Sequence, residues 1–318
     1  MASAGRQIEG WPRRSALIAA VAAVALLPAG AGQANFLTDI FKGPSKASKP
    51  PRHATAPKRA APARAAAAPK QRAARHAAPA KPVATTCAPA TFRIALDVGH
   101  TATSEGAISA RHVAEYVFNL HLARRIEQRL KADGFAATRL LITEGKARAS
   151  LVRRVATANR MPADLLLSIH HDSVPDKFLE EWEFEGKKSR FSDRFSGYSV
   201  FVSPSNPHFK TSLSFAELLA REMKAQGLDY ARQYSQPVMG RYRHPLLNKD
   251  TGVYSYDELI VLRKTRMAAV LLEAGSIINR DEELKMGSDE RRDITSAAVA
   301  AAVTAFCGVR AAASDPPK

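Results

Sequence analysis

The sequence predicts an α/β domain: a single twisted, largely parallel β-sheet with helices on both faces. Three observations carry this. From residue 92 onward, short runs rich in Ile, Leu and Val alternate with longer segments whose apolar residues recur at helical spacing. The runs are apolar throughout, as strands covered on both sides should be. Several of them also end abruptly in polar side chains, and ligands of open α/β sheets bind outside the carboxyl ends of the strands.

FRIALDV (92–98) is the first strand. RHVAEYVFNLHLARRIEQRLKADG predicts a helix that opens near Arg111, carries Val113, Val117, Leu120, Ile126 and Leu130 at helical spacing, and stops at Gly134. FAATRLLIT (135–143) reads as a second strand, RASLVRRVATANRM (148–161) as a helix ended by Pro162, and ADLLLSIH (163–170) as the third strand. Residues 174–196 look like an insertion before the strand YSVFVS (198–203). The helix FKTSLSFAELLAREMKAQG (209–227) follows, then the strand candidates DELIVLR (257–263) and AAVLLEA (268–274). A helix from about Arg280 to Phe306 closes the domain.

Ahead of this domain, residues 1–34 read as an export signal. A cationic stretch, RQIEGWPRR, precedes a short apolar core, and cleavage after Ala31 or Ala34 fits the preference for small residues. The core is short for a bilayer crossing, so no transmembrane anchor is expected after cleavage. The pair Arg13-Arg14 also permits twin-arginine export. Residues 35–90 read as a disordered linker. Within them, 41–90 hold 11 Lys and Arg and no acid on an Ala/Pro background, and supply most of the formal net charge of +17. Such a segment cannot bury a core. Its charge suits anionic envelope polymers; nucleic acid is excluded as a partner by export to the periplasm or cell envelope. Residues 311–318 read as a disordered tail, leaving 91–310 as the ordered domain. An oxidising location permits a disulfide between Cys87 and Cys307, with two separate thiols as the alternative.

The first strand leads to His100, the third to His170 and a late one to Glu273. Glu115 falls in the early turns of the first helix, near the same rim. Two imidazoles and a carboxylate, with a fourth position left to water, form a common catalytic zinc set. The metal acidifies water and polarises a carbonyl. A further carboxylate off the metal must then move the proton. Glu273 is the candidate, since a carboxyl buried at that strand end is costly without a partner or a task. His171 competes with His170, but adjacent strand residues point to opposite faces, so only one reaches the rim. Asp172 is placed to support a ligand, and His244 in RYRHPLL is a candidate for holding substrate. His112 and His121 read as exposed on the helix; His53 and His76 belong to the linker.

These motifs resemble the zinc-dependent N-acetylmuramoyl-L-alanine amidases of the bacterial cell wall, over nearly all of 92–307. IALDVGH is similar to the family's first-strand motif ending in a zinc histidine, and EYVFNL to its Glu-x-x-x-Asn-Leu element. RVATAN followed by ADLLLSIHHDS resembles its Arg…Ala-Asn…Ser-Ile-His segment, and AAVLLEAGSIINRDEE its Val-Leu-x-Glu-x-Gly stretch. The resemblance implies one Zn2+ per chain held by His100, Glu115 and His170, with Asn119 as a structural partner and Glu273 as the catalytic carboxylate. It implies hydrolysis of the amide between N-acetylmuramic acid and L-alanine in peptidoglycan, for wall remodelling or daughter-cell separation. It also implies a protein activator as a candidate partner. Relatives can carry, in an insertion like 174–196, a helix that blocks the metal until a partner removes it.

The chain departs from the family's pattern in two places. GHTATSEGAISARHV lacks the glycines that often follow the first histidine, so the rim loop is expected to have its own shape, and Ser276 stands where an aromatic is common. Two other functions fit the same residues: a zinc peptidase cutting within the stem peptide, and a non-catalytic wall-binding protein of the same fold. The presence of all four candidate groups weighs against the second.

Overall fold

The computed structural model describes residues 87–314. The expectations for the leader 1–34, and for the linker up to residue 86, fall outside the described residues.

Among the described residues the apolar runs assemble into a seven-stranded sheet of order β2-β1-β3-β9-β6-β8-β7. Its strands are β1 (Ile94–Val98), β2 (Arg139–Leu141), β3 (Leu165–Asp172), β6 (Ser199–Val202), β7 (Leu246–Asn248), β8 (Val253–Ser255) and β9 (Ala268–Ser276). The four strands β2, β1, β3 and β9 run parallel. β6 is antiparallel to β9 and parallel to β8, and β7 is antiparallel to β8. In register, Leu96 pairs with Leu167 and Leu167 with Val270. These side chains pack on one face against α1 (Glu115–Ala132), α3 (Phe209–Ala225) and α6 (Asp289–Ser314). Their neighbours Ala95, Leu166, Ala269 and Leu271 pack on the other face under α2 (Ala147–Arg160), α4 (Ile260–Lys264) and the segment 231–246. Burial on both faces is why these strands show no polar alternation.

Several expectations need correcting. The first helix opens at Glu115, four residues later than Arg111, because residues 101–114 form a loop closed by bridges Thr101↔Ser104 and Ile108↔Ala114. Val113 and Val117, assigned to its apolar face, are largely exposed. DELIVLR is not a strand: its central residues form α4, with Val261 and Leu262 buried on the sheet face. A short apolar run satisfies both periods, and here tertiary packing selects the helix. β7 and β8 went unread because three residues each are too few to show a period.

The closing helix is two helices. α5 (Arg280–Met286) is capped by the Asn279 side chain, which accepts from the amides of Asp281 and Glu282. α6 follows after Gly287 and Ser288 and runs to Ser314, four residues into the segment read as a disordered tail. In the insertion 174–196 a short 3-10 turn (Asp176–Phe178) leads to a hairpin of β4 (Glu180–Phe184) and β5 (Lys187–Phe191); no α-helix lies in that stretch. Cys87 and Cys307 are disulfide-bonded, with Cα atoms 5.1 Å apart, tying the start of the described chain to α6.

Candidate active site

The site begins with a buried ion pair. Asp97 on β1 is fully buried and pairs with Arg154 of α2 at 2.6 Å, while its other oxygen accepts from Ser168 Oγ at 2.6 Å. Arg154 also bonds the backbone: Nη1 donates to Val98 O and Nη2 to His100 O, the latter at 2.6 Å. These bonds hold the chain where it leaves β1. His100 there has φ 65°, in the left-handed region that a non-glycine residue occupies only when its surroundings hold it.

Two glycines let backbone close over the site. A Cβ on Gly99 would stand 2.5 Å from the His170 ring. One on Gly106, whose φ is 84°, would stand 2.5 Å from Glu115 Oε2 and 2.7 Å from the His100 ring.

Glu115, the first residue of α1, joins the two histidines. Its Oε2 lies 2.9 Å from His100 Nε2 and its Oε1 lies 3.0 Å from His170 Nδ1. The ligand-capable atoms of the three residues all fall within 4.8 Å of one another. The two Glu115–imidazole distances, 2.9 and 3.0 Å, are near the roughly 3.4 Å edge of a tetrahedral site with about 2.1 Å bonds. The donor set, the close spacing and the space left by Gly99 and Gly106 fit a zinc ion. The orientation of the carboxylate is fixed by Ala107 N donating to Oε2 and by Asn119 Nδ2 and His171 N donating to Oε1. Burial opposes charge on Glu115, yet the two imidazoles hold its carboxyl well below the usual range. Burial lowers the pKa of His170, so its ring is neutral and able to ligate at neutral pH.

The strand period separates His170 from His171 as expected. His171 points to the α1 side, where its Nδ1 lies 2.8 Å from Asn119 Oδ1. Burial pushes it down to about 3. Asn119 also donates to Gly99 O, so it serves as a structural partner to three parts of the rim. His112 and His121 are exposed.

Glu273 is the register partner of His170 on β9 and lies on the same sheet face. It is buried, and among the described residues its Oε2 has no hydrogen-bond partner. Burial, reinforced by Asp172 and Glu115, raises its pKa well above the ordinary value. A cleft opens over this face, lined by His100, His170, Asp172 and Glu273 and walled by Tyr234, Met239, Tyr242, His244 and Tyr256. His244 faces this cleft, its ring 4.0 Å from that of Tyr256, and burial lowers it to about 4. Asp172 is bonded by Tyr234 Oη at 2.5 Å; burial lifts it to about 7 despite that bond.

The sequence reading placed His100, Glu115, His170 and Glu273 on this rim, and the structure brings the first three into one cluster. It overlooked Tyr234, which no motif marked. It also overlooked the Asp97–Ser168 contact, although a lone acid inside the apolar run IALDV and a lone Ser inside LLLSI were the signal that a partner was required.

An α/β sheet with a His-Glu-His cluster and a buried carboxyl at its parallel carboxyl edge defines a hydrolase-type domain with a candidate metal centre. The N-acetylmuramoyl-L-alanine amidase family, Amidase_3, matches residues 94–305. The chain belongs to this family and is a cell-wall amidase, an enzyme that hydrolyses peptidoglycan. It is 25% identical over 239 residues to the N-acetylmuramoyl-L-alanine amidase AmiA of Escherichia coli (strain K12), covering 67% of this chain and 75% of that one. It is 24% identical over 226 residues to a putative N-acetylmuramoyl-L-alanine amidase of Buchnera aphidicola, covering 67% of this chain and 95% of that one. Among solved structures, the N-acetylmuramyl-L-alanine amidase Ami1 of Mycobacterium smegmatis superposes with a TM-score of 0.53 at 20% identity. That match covers 70% of this chain and 99% of the other, and shows the shared fold.

Proposed function

We propose that this enzyme is exported and cuts the amide between the lactyl group of N-acetylmuramic acid and L-alanine, with one zinc ion held by His100, Glu115 and His170. The observation that carries the reading is the Glu273 carboxyl, buried with an unpartnered oxygen on the sheet face that also presents His170. A charge so placed is costly unless it has chemistry to do.

When bound, zinc lowers the pKa of water toward neutrality and polarises a carbonyl. Glu273, whose pKa burial raises, would be favoured in its charged form by a divalent cation held at His100, Glu115 and His170. Glu273 accepts the proton of the attacking water and passes it to the amide nitrogen. Water thus adds across the C–N bond, leaving a lactyl carboxylate on the sugar and a free amine on L-alanine. Asn119 and the amides of Ala107 and His171 keep Glu115 aimed at both imidazoles. Arg154 and Asp97 hold the His100 backbone. Export rests on the cationic and apolar leader 1–34, and the basic stretch 41–90 suits contact with anionic envelope polymers.

The test is Glu273→Gln in the full chain, assayed on purified sacculi by mass spectrometry. The wild-type enzyme is expected to release intact stem peptides beginning with L-alanine. The variant is expected to keep stoichiometric zinc and to lose activity by at least about 100-fold, the scale of general acid–base catalysis. Peptide fragments cut inside the stem would overturn the assigned bond; near-normal activity of the variant would overturn the role of Glu273.

A further inference from the structure

The cleft above His170 and Glu273 is bounded by residues 173–175 on one side and by the segment 231–262 on the other. Two cations are held against residues 238–242, a stretch whose Met239 and Tyr242 line the cleft. Lys177 Nζ donates to Val238 O at 3.3 Å and lies 4.5 Å from the Phe178 ring centre. Arg241 Nη2 donates to Tyr242 Oη at 2.6 Å, its guanidinium 4.9 Å from that ring. Met239 and Tyr242, on either side of the turn at Gly240, both line the cleft.

Both cations are exposed, and their partners are a carbonyl, a hydroxyl and aromatic faces. Among the described residues neither is paired with a carboxylate. The nearby acid Asp176 is engaged by Arg190 at 2.8 Å. Residues 231–249 contain four cations and no acid. Of these, Arg232 packs on Tyr230 and Arg243 turns to Ser235 O, while Arg241 is held against the side chain of the cleft-lining Tyr242.

Peptidoglycan distributes its charge unevenly about the bond to be cut. The lactyl carboxyl is consumed in that amide, so the adjoining glycan offers hydroxyls and acetamides, whereas free carboxylates sit on the stem peptide. A pair of cations on one wall of the cleft can therefore distinguish the two sides of the bond. We propose that Lys177 and Arg241 form a subsite for stem-peptide carboxylates, which seats the peptide across Met239 and Tyr242 and sends the glycan the other way. The apolar strip between the cations suits the methyl groups of the stem's alanines. This orientation rests on the amidase reading above.

The experiment compares two synthetic muropeptides in the full-length zinc-loaded enzyme, one with free stem carboxylates and one with those carboxylates converted to amides. The wild-type enzyme is expected to prefer the acidic substrate by roughly three- to tenfold in kcat/KM, mostly through KM, as two partly exposed charge pairs allow. Lys177→Gln with Arg241→Gln is expected to erase the preference, and Lys177→Arg with Arg241→Lys to retain it. The preference should also shrink at high salt. Equal kcat/KM for both substrates in the wild type, or a preference that survives the double Gln variant, overturns the subsite while leaving the amidase reading intact. Cleavage of neither substrate at the lactyl–alanine bond overturns the amidase reading and the subsite with it.

Discussion

Replacing Arg154 with Met isolates what the buried ion pair contributes. Arg154 is 2% exposed and Asp97 fully buried, so removing the guanidinium strands a carboxylate out of water. Breaking one side of such a pair costs about 3–5 kcal/mol. Two features place this case near 3 kcal/mol: Ser168 Oγ still bonds one oxygen of Asp97, and Met refills much of the volume. The carbonyls of Val98 and His100 also lose their donor, freeing the strained backbone that presents His100. Zinc affinity should fall with it by roughly 10- to 100-fold, the usual effect of losing a group that orients a ligand. Urea unfolding of the chelated protein reads the first quantity and a competitive zinc titration the second. Asp97→Asn added to Arg154→Met removes the stranded charge and should recover about 1–3 kcal/mol, a coupling expected of residues in contact. A loss below about 1 kcal/mol together with unchanged zinc affinity would refute the reasoning.

Three further outcomes are expected. Gly99→Ala puts a methyl 2.5 Å from the His170 ring, so zinc retention in the presence of a weak chelator should drop while the far-UV spectrum stays native. His171 has its pKa pushed down to about 3 by burial, against about 6.5 when unfolded. Below pH 6.5 the unfolded chain therefore takes up a proton at this group that the folded chain refuses, and the contribution of His171 to stability falls as pH falls, by roughly 2 kcal/mol at pH 5. The raised carboxyls Asp172 and Glu273 act in the opposite direction over this window, so the check is the difference in urea midpoint between the chelated parent and His171→Asn at pH 5, 6 and 7, and a difference that does not change with pH contradicts it. Cys87→Ser with Cys307→Ser opens a link between residues 220 apart and should cost about 2–4 kcal/mol, read as a lower urea midpoint than that of the oxidised parent.

Much of the fold was legible because its physics is local. Runs such as IALDV and LLLSI suit strands covered on both faces, and the spacing of Ile126 and Leu130 marked the first helix, though its buried face also takes Phe118 and Leu122 in place of the exposed Val113 and Val117. The parts misread are those where local signals tie. DELIVLR satisfies helix and strand alike, and only its place on a sheet face already complete on either side of β9 made it α4. Arg111 and Val113 have ordinary helical propensity, yet the chain between His100 and Glu115 is held in a loop, with Ala107 N bonding the Glu115 carboxylate.

The candidate site divides in the same way. That His100, His170 and Glu273 fall near the carboxyl ends of strands, and that His171 must face away from His170, follow from chain order and a period of two, although β3 and β9 run on to Asp172 and Ser276, past the ends read from the sequence. Which candidate side chains lie near that rim was therefore legible in the sequence alone. Their meeting was not: Glu115 reaches both imidazoles because of a helix start the sequence misplaced, a left-handed His100 and two glycines without side chains. The Tyr234–Asp172 bond and the contact of Lys177 with Val238 join residues about sixty positions apart. Pairings at that range are set by which faces the folded sheet leaves open, a property of the whole packing that no window of sequence carries.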